Sequence, residues 1–368
     1  MNKSFWFLVG SLVGVALWLA AGEGALLGFQ QAVPGYRWEF PRDHGAHPGF
    51  QTEWWYYTGH LHAAPGRTFG YQLTFFRHRL DRPGLSLNPS QWFADQLYLA
   101  HMAITDEARQ RFVYGEKRNR AALGVAGAAE GRYHVWNEDW LAQRLGRHHF
   151  LQGAIPGYEL RLVLTPLKPL VLHGEGGLSR KGAGKGQASY YYSFTRLYTE
   201  GVLRTEEGVF DVSGLSWMDH EFGSTQLSEE QVGWDWFSVQ LDNHHELMLY
   251  HIRRRDGSLD AASSGTLVRP DGSAVPLRRD DFRVEAHERW RSPKSGAVYP
   301  QRWTLYVPRF DVVLHLEPVL AEQELITDSS TLITYWEGRV RVRGRFQGQE
   351  TQGAGYVELT GYAHPVRL

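Results

Sequence analysis

The sequence predicts an all-β chain folded into two tandem antiparallel β-barrels, and three observations carry that expectation. Aromatic residues make up 14% of the 368, with 14 Trp, 18 Tyr and 18 Phe, while 40 Gly and 16 Pro supply many breaks. Bulky aromatics suit a half-buried pleated surface, and frequent turn residues favour short strands over long helices. Period-two patterning is the second observation: Tyr158, Leu160, Leu162 and Leu164 alternate with Glu159, Arg161 and Val163, and Val340, Val342, Gly344 and Phe346 alternate with arginines 339, 341, 343 and 345. Such alternation turns one face of a strand to a core. The third is an internal repeat. Trp54-Trp55-Tyr56-Tyr57-Thr58-Gly59-His60-Leu61 follows the pattern W-x-aromatic-aromatic-x-x-x-L, and Trp234-Asp235-Trp236-Phe237-Ser238-Val239-Gln240-Leu241 repeats it.

Taken in chain order, residues 1–28 read as a signal peptide or N-terminal anchor. Lys3 precedes an apolar run from Phe5 to Gly22, followed by small residues suited to cleavage. The run approaches the length of a membrane span, so the expected location is periplasmic or secreted, with anchoring through this segment as the alternative. After a lead-in from Phe29 to Pro48, a first barrel is expected over 29–225. Its opening tryptophan is read as the plug at one end of a lipocalin-like barrel, and barrel closure removes exposed sheet edges. The glycine-rich, basic piece from Gly176 to Gly186 lacks the order of a phosphate loop and precedes a tyrosine-rich strand, so it reads as a mobile loop at the barrel mouth. Gln226 to Gln231 breaks the strand pattern and divides the halves. The second barrel, 226–368, contains the hairpin signals Arg255-Asp256-Gly257-Ser258 and Pro270-Asp271-Gly272-Ser273. Helix is expected only as short turns, at Gln91 to Leu97 and Glu322 to Leu325.

Charge and cysteine usage narrow the function classes. Lys plus Arg number 39 against 40 Asp plus Glu, a net charge of -1, which leaves no electrostatic footprint for nucleic acid. The absence of cysteine excludes disulfides, thiolate metal sites, a cysteine nucleophile and lipoprotein processing. Among the 17 histidines, His60 and His62 share a strand face, but no H-E-x-x-H motif accompanies them or the pairs at 148–149, 220–221 and 244–246, and no metal is expected. Gly214-Leu215-Ser216-Trp217-Met218 lacks the last glycine of a nucleophile elbow, so Ser216 reads as a strand residue.

The stretch Ser216-Trp217-Met218-Asp219-His220-Glu221-Phe222-Gly223-Ser224 is the candidate site. Three ionisable residues interrupt an apolar strand, and alternation puts Trp217, Asp219 and Glu221 on one face with His220 on the other. Burial among aromatics and a neighbouring carboxylate both disfavour the charged form of an acid, which makes Asp219 a candidate proton donor. Glu53, Trp54, Tyr56, Trp234 and Trp236, together with His220 and Glu221, are expected to line the adjoining apolar pocket.

These residues carry a family resemblance. His47 to Gly59, Ala188 to Leu197, Ser216 to Ser224, Gly233 to Phe237, Tyr335 to Gly338 and Gly355 to Tyr362 resemble the AttH and carotenoid 1,2-hydratase family over nearly all of the chain after the leader. The resemblance implies two lipocalin-like barrels and a secreted hydrolase label. Its hydratase branch implies addition of water across a terminal double bond of an acyclic carotenoid, by protonation to a tertiary cation and capture of water. The catalytic acid of that branch, the aspartate of a Tyr-x-Asp motif, matches Asp219 in Trp217-Met218-Asp219, with tryptophan replacing tyrosine. Its histidine and tryptophan match Tyr190 and Tyr192. The resulting expectation is an exported protein that binds a long apolar lipid or isoprenoid ligand, with acid-assisted hydratase or hydrolase chemistry at Asp219, Trp217, Tyr190 and Tyr192 and no cofactor. The alternative is a non-catalytic accessory protein of an envelope transport system, associated with a membrane or transporter.

Overall fold

The computed structural model of the protein describes residues 28–80, 95–225 and 227–366. The expected leader, apart from residue 28, and 91–94 of the first helical turn lie outside the described residues. Among the described residues no helix is long and apolar enough to cross a membrane. Glu322 to Leu325 is not a helical turn either, since Glu324–Ile326 pairs as a strand.

Thirteen strands make the first sheet: β1 (Thr52–Ala63), β2 (Arg67–Arg79), β3 (Gln96–Asp106), β4 (Arg111–Arg120), β5 (Ala126–Ala128), β6 (His134–Asn137), β7 (Trp140–Leu145), β8 (His148–Ile155), β9 (Tyr158–Pro166), β10 (Val171–Leu172), β11 (Leu178–Arg180), β12 (Ala188–Thr205) and β13 (Gly208–Thr225). Ten make the second: β14 (Gln231–Leu241), β15 (Glu246–Arg254), β16 (Ser264–Val268), β17 (Ala274–Arg278), β18 (Arg283–Arg291), β19 (Val298–Val307), β20 (Val312–Pro318), β21 (Glu324–Ile326), β22 (Thr334–Phe346) and β23 (Gln349–Thr360). All pairings between these strands are antiparallel. The first sheet runs β4-β3-β2-β1-β13-β12-β9-β8-β7-β6-β5, and β4 returns against β5 and β6, so it is nearly closed. The second runs β17-β16-β15-β14-β23-β22-β20-β19-β18. In both, the strand that opens with the repeated tryptophan pairs with the last strand of its own sheet.

Local chemistry accounts for the elements. Tyr158, Leu160, Leu162 and Leu164 of β9 are buried and alternate with more open neighbours, as a strand with one face on a core requires. The β16–β17 turn closes with the Arg269 amide donating to the Ser273 carbonyl at 2.9 Å, and Gly272 takes the left-handed φ of +85° that the turn needs. The arginine row of β22 departs from simple alternation. Arg343 and Arg345 are exposed, whereas Arg339 is buried and turns to the first sheet, donating Nε to His60 Nδ1 at 3.0 Å and pairing with Glu107.

Three cores follow. Trp55, Tyr57, Leu73, Met102 and Leu162 pack inside the first sheet, and Val239, Leu249, Trp303 and Leu314 inside the second. A third core, with Tyr56, Tyr191, Trp217, Trp236, Tyr250 and Tyr356, joins the outer faces of the two sheets. Consequently β13 is buried on both faces, without interruption from Ser216 to Gly223. Trp54 and Trp234 belong to this third core, so the repeated tryptophans do not plug barrel ends.

Candidate active site between the two sheets

A cavity of about 440 Å³ opens between the sheets rather than inside a barrel. On each sheet one rung of residues in register runs beside it, three of the four in each rung lining the cavity. On the first sheet the rung is Thr74, Tyr56, Asp219 and Ser193; on the second it is Glu337, Glu358, Trp236 and Tyr250. Two hydrogen bonds tie the sheets together here. Tyr56 donates its hydroxyl to Glu337 Oε1 at 2.7 Å, and Trp236 donates Nε1 to the Tyr191 hydroxyl at 3.2 Å.

Asp219 is the centre of the first rung. Its Oδ1 accepts from Trp217 Nε1 at 2.6 Å and from the Ser193 hydroxyl, and its Oδ2 accepts from the Tyr191 hydroxyl at 2.8 Å. All three donors are neutral. Burial pushes the carboxyl up to about 7 against the downward pull of those bonds, and the Glu221 charge adds to the rise. An acid held in one orientation and still protonated near neutrality can deliver a proton to an apolar substrate. Trp54, Tyr56, Trp234 and Trp236 also line the cavity, and their rings are suited to stabilising a developing cation.

Glu221 lines the same cavity but is differently placed. It accepts from the Ser189 hydroxyl and pairs with Lys181 at 2.8 Å. Lys181 comes from the glycine-rich piece, which is anchored by β11 on β12 and so is not the loose loop expected. The ammonium lies 4.5 Å from the centre of the Tyr250 ring and 5.3 Å from that of Tyr191.

Four expected site residues fall on the other face. The Tyr190 hydroxyl bonds the backbone of Val33, and its ring stacks on Tyr36. The Tyr192 hydroxyl joins His44 Nδ1 at 2.7 Å and His220 Nδ1 at 3.0 Å. Period two turns Tyr191, the residue between them, towards Asp219. His220 and Glu53 likewise belong to the interior network: His220 Nε2 donates to Glu53 Oε1 at 2.8 Å, and Arg77 Nε donates to Glu53 Oε2 at 3.0 Å. Glu53 and Arg77 reach the cavity edge, but the Glu53 carboxylate is closed in by partners. Burial pushes it up, yet the His47 and Arg77 charges and the bonds from both histidines outweigh that and hold it well below the usual range.

His47, Glu53 and His220 approach one another closely enough to hold an ion. Their bonding argues for a hydrogen-bonded scaffold instead. Both imidazoles face Glu53 Oε1, and the Arg77 cation already occupies the second oxygen. Of the histidine pair considered from sequence, His60 serves Arg339 while His62 is exposed. Ser216 shares its hydroxyl with Tyr71 and Thr199, each at 2.6 Å, and meets no histidine.

Sequence reasoning chose Tyr190 and Tyr192 over Tyr191, and missed Lys181, Glu358 and the wall formed by Tyr335 and His101. Tyr335 bonds His101 Nδ1 at 2.8 Å, and His101 Nε2 bonds Ser330 Oγ at 2.8 Å. A signal existed for Glu358. It sits in the C-terminal motif at even spacing from Tyr356, but only strand pairing reveals what that face meets.

Fold and site together define a class: a protein of two curled antiparallel sheets with an acid-bearing apolar cavity between them. The AttH-like family model matches residues 31–362, and the chain belongs to that family. An AttH protein from Nitrosomonas europaea is 35% identical and superposes with a TM-score of 0.82 over 91% of this chain and 99% of its own. The kievitone hydratase of Nectria haematococca shares the fold at 11% identity, with a TM-score of 0.70 over 92% of this chain and 96% of its own. In sequence, the dehydratase asqC of Emericella nidulans is 22% identical over 249 residues. That match spans 65% of this chain and 66%, just under two thirds, of the dehydratase.

Proposed function

We propose that the protein is a hydratase or dehydratase that adds water to, or removes it from, an alkene carbon of a largely apolar small molecule, with Asp219 as the acid. The observation that carries this reading is a buried carboxyl near pKa 7, held by three neutral donors and opening on an aromatic cavity. Support comes also from the dehydratase and hydratase among its relatives. Protonation of a trisubstituted alkene gives a tertiary cation, which the ring faces stabilise until water captures it. A cavity of about 440 Å³ lies within the range of small-molecule sites, so a long isoprenoid would place one end in it.

The test is incubation with acyclic terpenoid alkenes and their tertiary alcohols, read by mass spectrometry as gain or loss of water. Asp219→Asn should cut turnover by about 10²–10⁴-fold while circular dichroism and ligand binding stay as in the wild type. Turnover unchanged in the variant would remove Asp219 from the mechanism. Export through residues 1–28 is part of the same proposal. Terminal sequencing of protein from periplasmic and membrane fractions distinguishes a cleaved signal from an anchor, and intact cytoplasmic protein refutes both. The non-catalytic accessory role stands second, because it gives no use to an acid kept protonated in a cavity.

A further inference from the structure

The internal repeat makes a second assignment. Laying Trp54-x-Tyr56 of β1 over Trp234-x-Trp236 of β14 equates Tyr56 with Trp236. Each strand pairs with the last strand of its sheet, and the residue opposite Tyr56 is Asp219 while the residue opposite Trp236 is Glu358. The correspondence continues one strand outward, where Ser193 stands beside Asp219 and Glu337 beside Glu358. It also holds for the ties between sheets: Tyr56 reaches Glu337 on β22, and Trp236 reaches Tyr191 on the equivalent β12. Because the sheets dock by these faces, the two repeat-related carboxyls open on one cavity.

The surroundings of Glu358 separate it from the other acids nearby. Lys181 pairs with Glu221 and Arg339 with Glu107, and among the described residues Glu358 takes part in no ion pair. It is enclosed by protein yet only partly buried, because what it faces is the cavity. Glu337 is different: its Oε1 accepts from Tyr56, and it is buried behind that ring.

We propose that Glu358 is the second catalytic carboxyl of this cavity, taking a proton from the water that adds to the substrate while Asp219 delivers one to carbon. The proposal rests on the hydratase reading of Asp219. In the forward direction the Asp219 O–H bond breaks and a C–H bond forms at the less substituted alkene carbon, using the π electron pair. Water oxygen bonds to the cationic carbon, and one of its O–H bonds breaks with the proton passing to Glu358. Alkene and water give a tertiary alcohol, with Asp219 left ionised and Glu358 protonated, and proton exchange with solvent resets the pair. Dehydration is the reverse. Burial raises Glu358 to about 7, with the Trp234 indole opposing and the Asp219 and Glu221 charges adding. Two coupled acids with midpoints near neutrality favour the state in which one holds a proton and the other does not.

The experiment separates the two steps with isotopes. Geranylacetone, an acyclic terpenoid with trisubstituted alkenes, is incubated in D₂O, and both recovered alkene and alcohol are examined. Wild type should give alcohol together with deuterated alkene, since protonation and its reversal label carbon. Asp219→Asn should give neither. Glu358→Gln should retain labelling of the alkene while alcohol formation falls by about 10²-fold or more, and Glu358→Asp should restore part of it. Alcohol formed at the wild-type rate by Glu358→Gln, with Asp219→Asn inactive, overturns the role of Glu358 and leaves the hydratase reading standing. Wild type that yields neither product nor label refutes that reading and this role with it. A carboxyl titration by ¹³C NMR reads the pairing without turnover: Asp219→Asn should lower the Glu358 midpoint by about half a unit or more, and an unmoved midpoint shows that the two acids do not face one another.

Discussion

The two faces of β13 carry ionisable groups in equal depth and put them to opposite uses. On the inner face His220 enters a closed network in which Glu53 meets Arg77 and two imidazoles. On the outer face Glu221 has Lys181, but Asp219 accepts only from neutral donors, and among the described residues Glu358 across the cavity takes part in no ion pair. Burial is nearly the same for Asp219 and His220, at 4% and 0% exposed, so depth does not distinguish them. The counter-ion does. A paired carboxylate is held ionised and fixes the strands around it, whereas an unpaired one is pushed towards its acid form and is free to exchange a proton.

The largest effect that would break this contrast is on the paired side. Arg77→Met removes one of the two cations that face the buried Glu53, leaving His47, and should destabilise the fold by about 3 kcal/mol, read from urea denaturation at pH 7. A variant as stable as the wild type would show that Glu53 does not depend on Arg77.

Next comes pH, where the two faces act with opposite sign. The folded pKa of Asp219 lies above its unfolded value, so its contribution is full below pH ~4 and is lost as pH rises towards ~7. Over that window the wild type should lose stability relative to Asp219→Asn at up to about 1.4 kcal/mol per pH unit. The folded pKa of Glu53 is depressed, so its contribution is present above the unfolded value near 4.5 and lost as pH falls through the folded one. Denaturation of wild type and Asp219→Asn from pH 3 to 8 checks the Asp219 window. Parallel curves between pH 4 and 7 would show that Asp219 is not raised.

The smallest effect is the finest test. Tyr191→Phe removes a donor to the ionised form of Asp219, about 1 kcal/mol, and should move the acid's apparent pKa upward by several tenths of a unit in a pH–rate profile. Tyr190→Phe, one residue away on the inner face, should leave that profile unmoved and lower only stability. A shift from Tyr190→Phe larger than that from Tyr191→Phe would reverse the assignment of faces.

Much of the fold was legible because alternation is local. Tyr158 to Leu164 shows its core face in seven residues, and the β16–β17 turn announces itself through Asp271-Gly272. Asp219 was legible for the same reason, as an acid sharing parity with Trp217 among buried aromatics. The partner strand was not. Which tyrosine of 190–192 meets Asp219 depends on the register of β12 against β13, and that register shifts between Ala188 and Ser189 and again between Phe194 and Leu197. Local alternation carries no record of such shifts. The cavity's position escaped for a related reason: period two says that a strand has two faces, and it does not say that the outer face meets another sheet. Glu358 lies 139 residues beyond Asp219 in sequence, and only the docking of two sheets brings them to one cavity.

Among the bonds that cross between the sheets, the two at the acid rungs, from Tyr56 to Glu337 and from Trp236 to Tyr191, act as the jaws of a caliper. They are anchored on repeat-related strands, so together they gauge the gap between the two acids and its angle. A slip of one residue along a strand is about 3.3 Å, enough to release both jaws at once. Each sheet alone has a complete interior, so its folding does not guarantee that the gap is right. A change that leaves both interiors intact can therefore still alter the distance between Asp219 and Glu358 by disturbing the third core that joins the sheets.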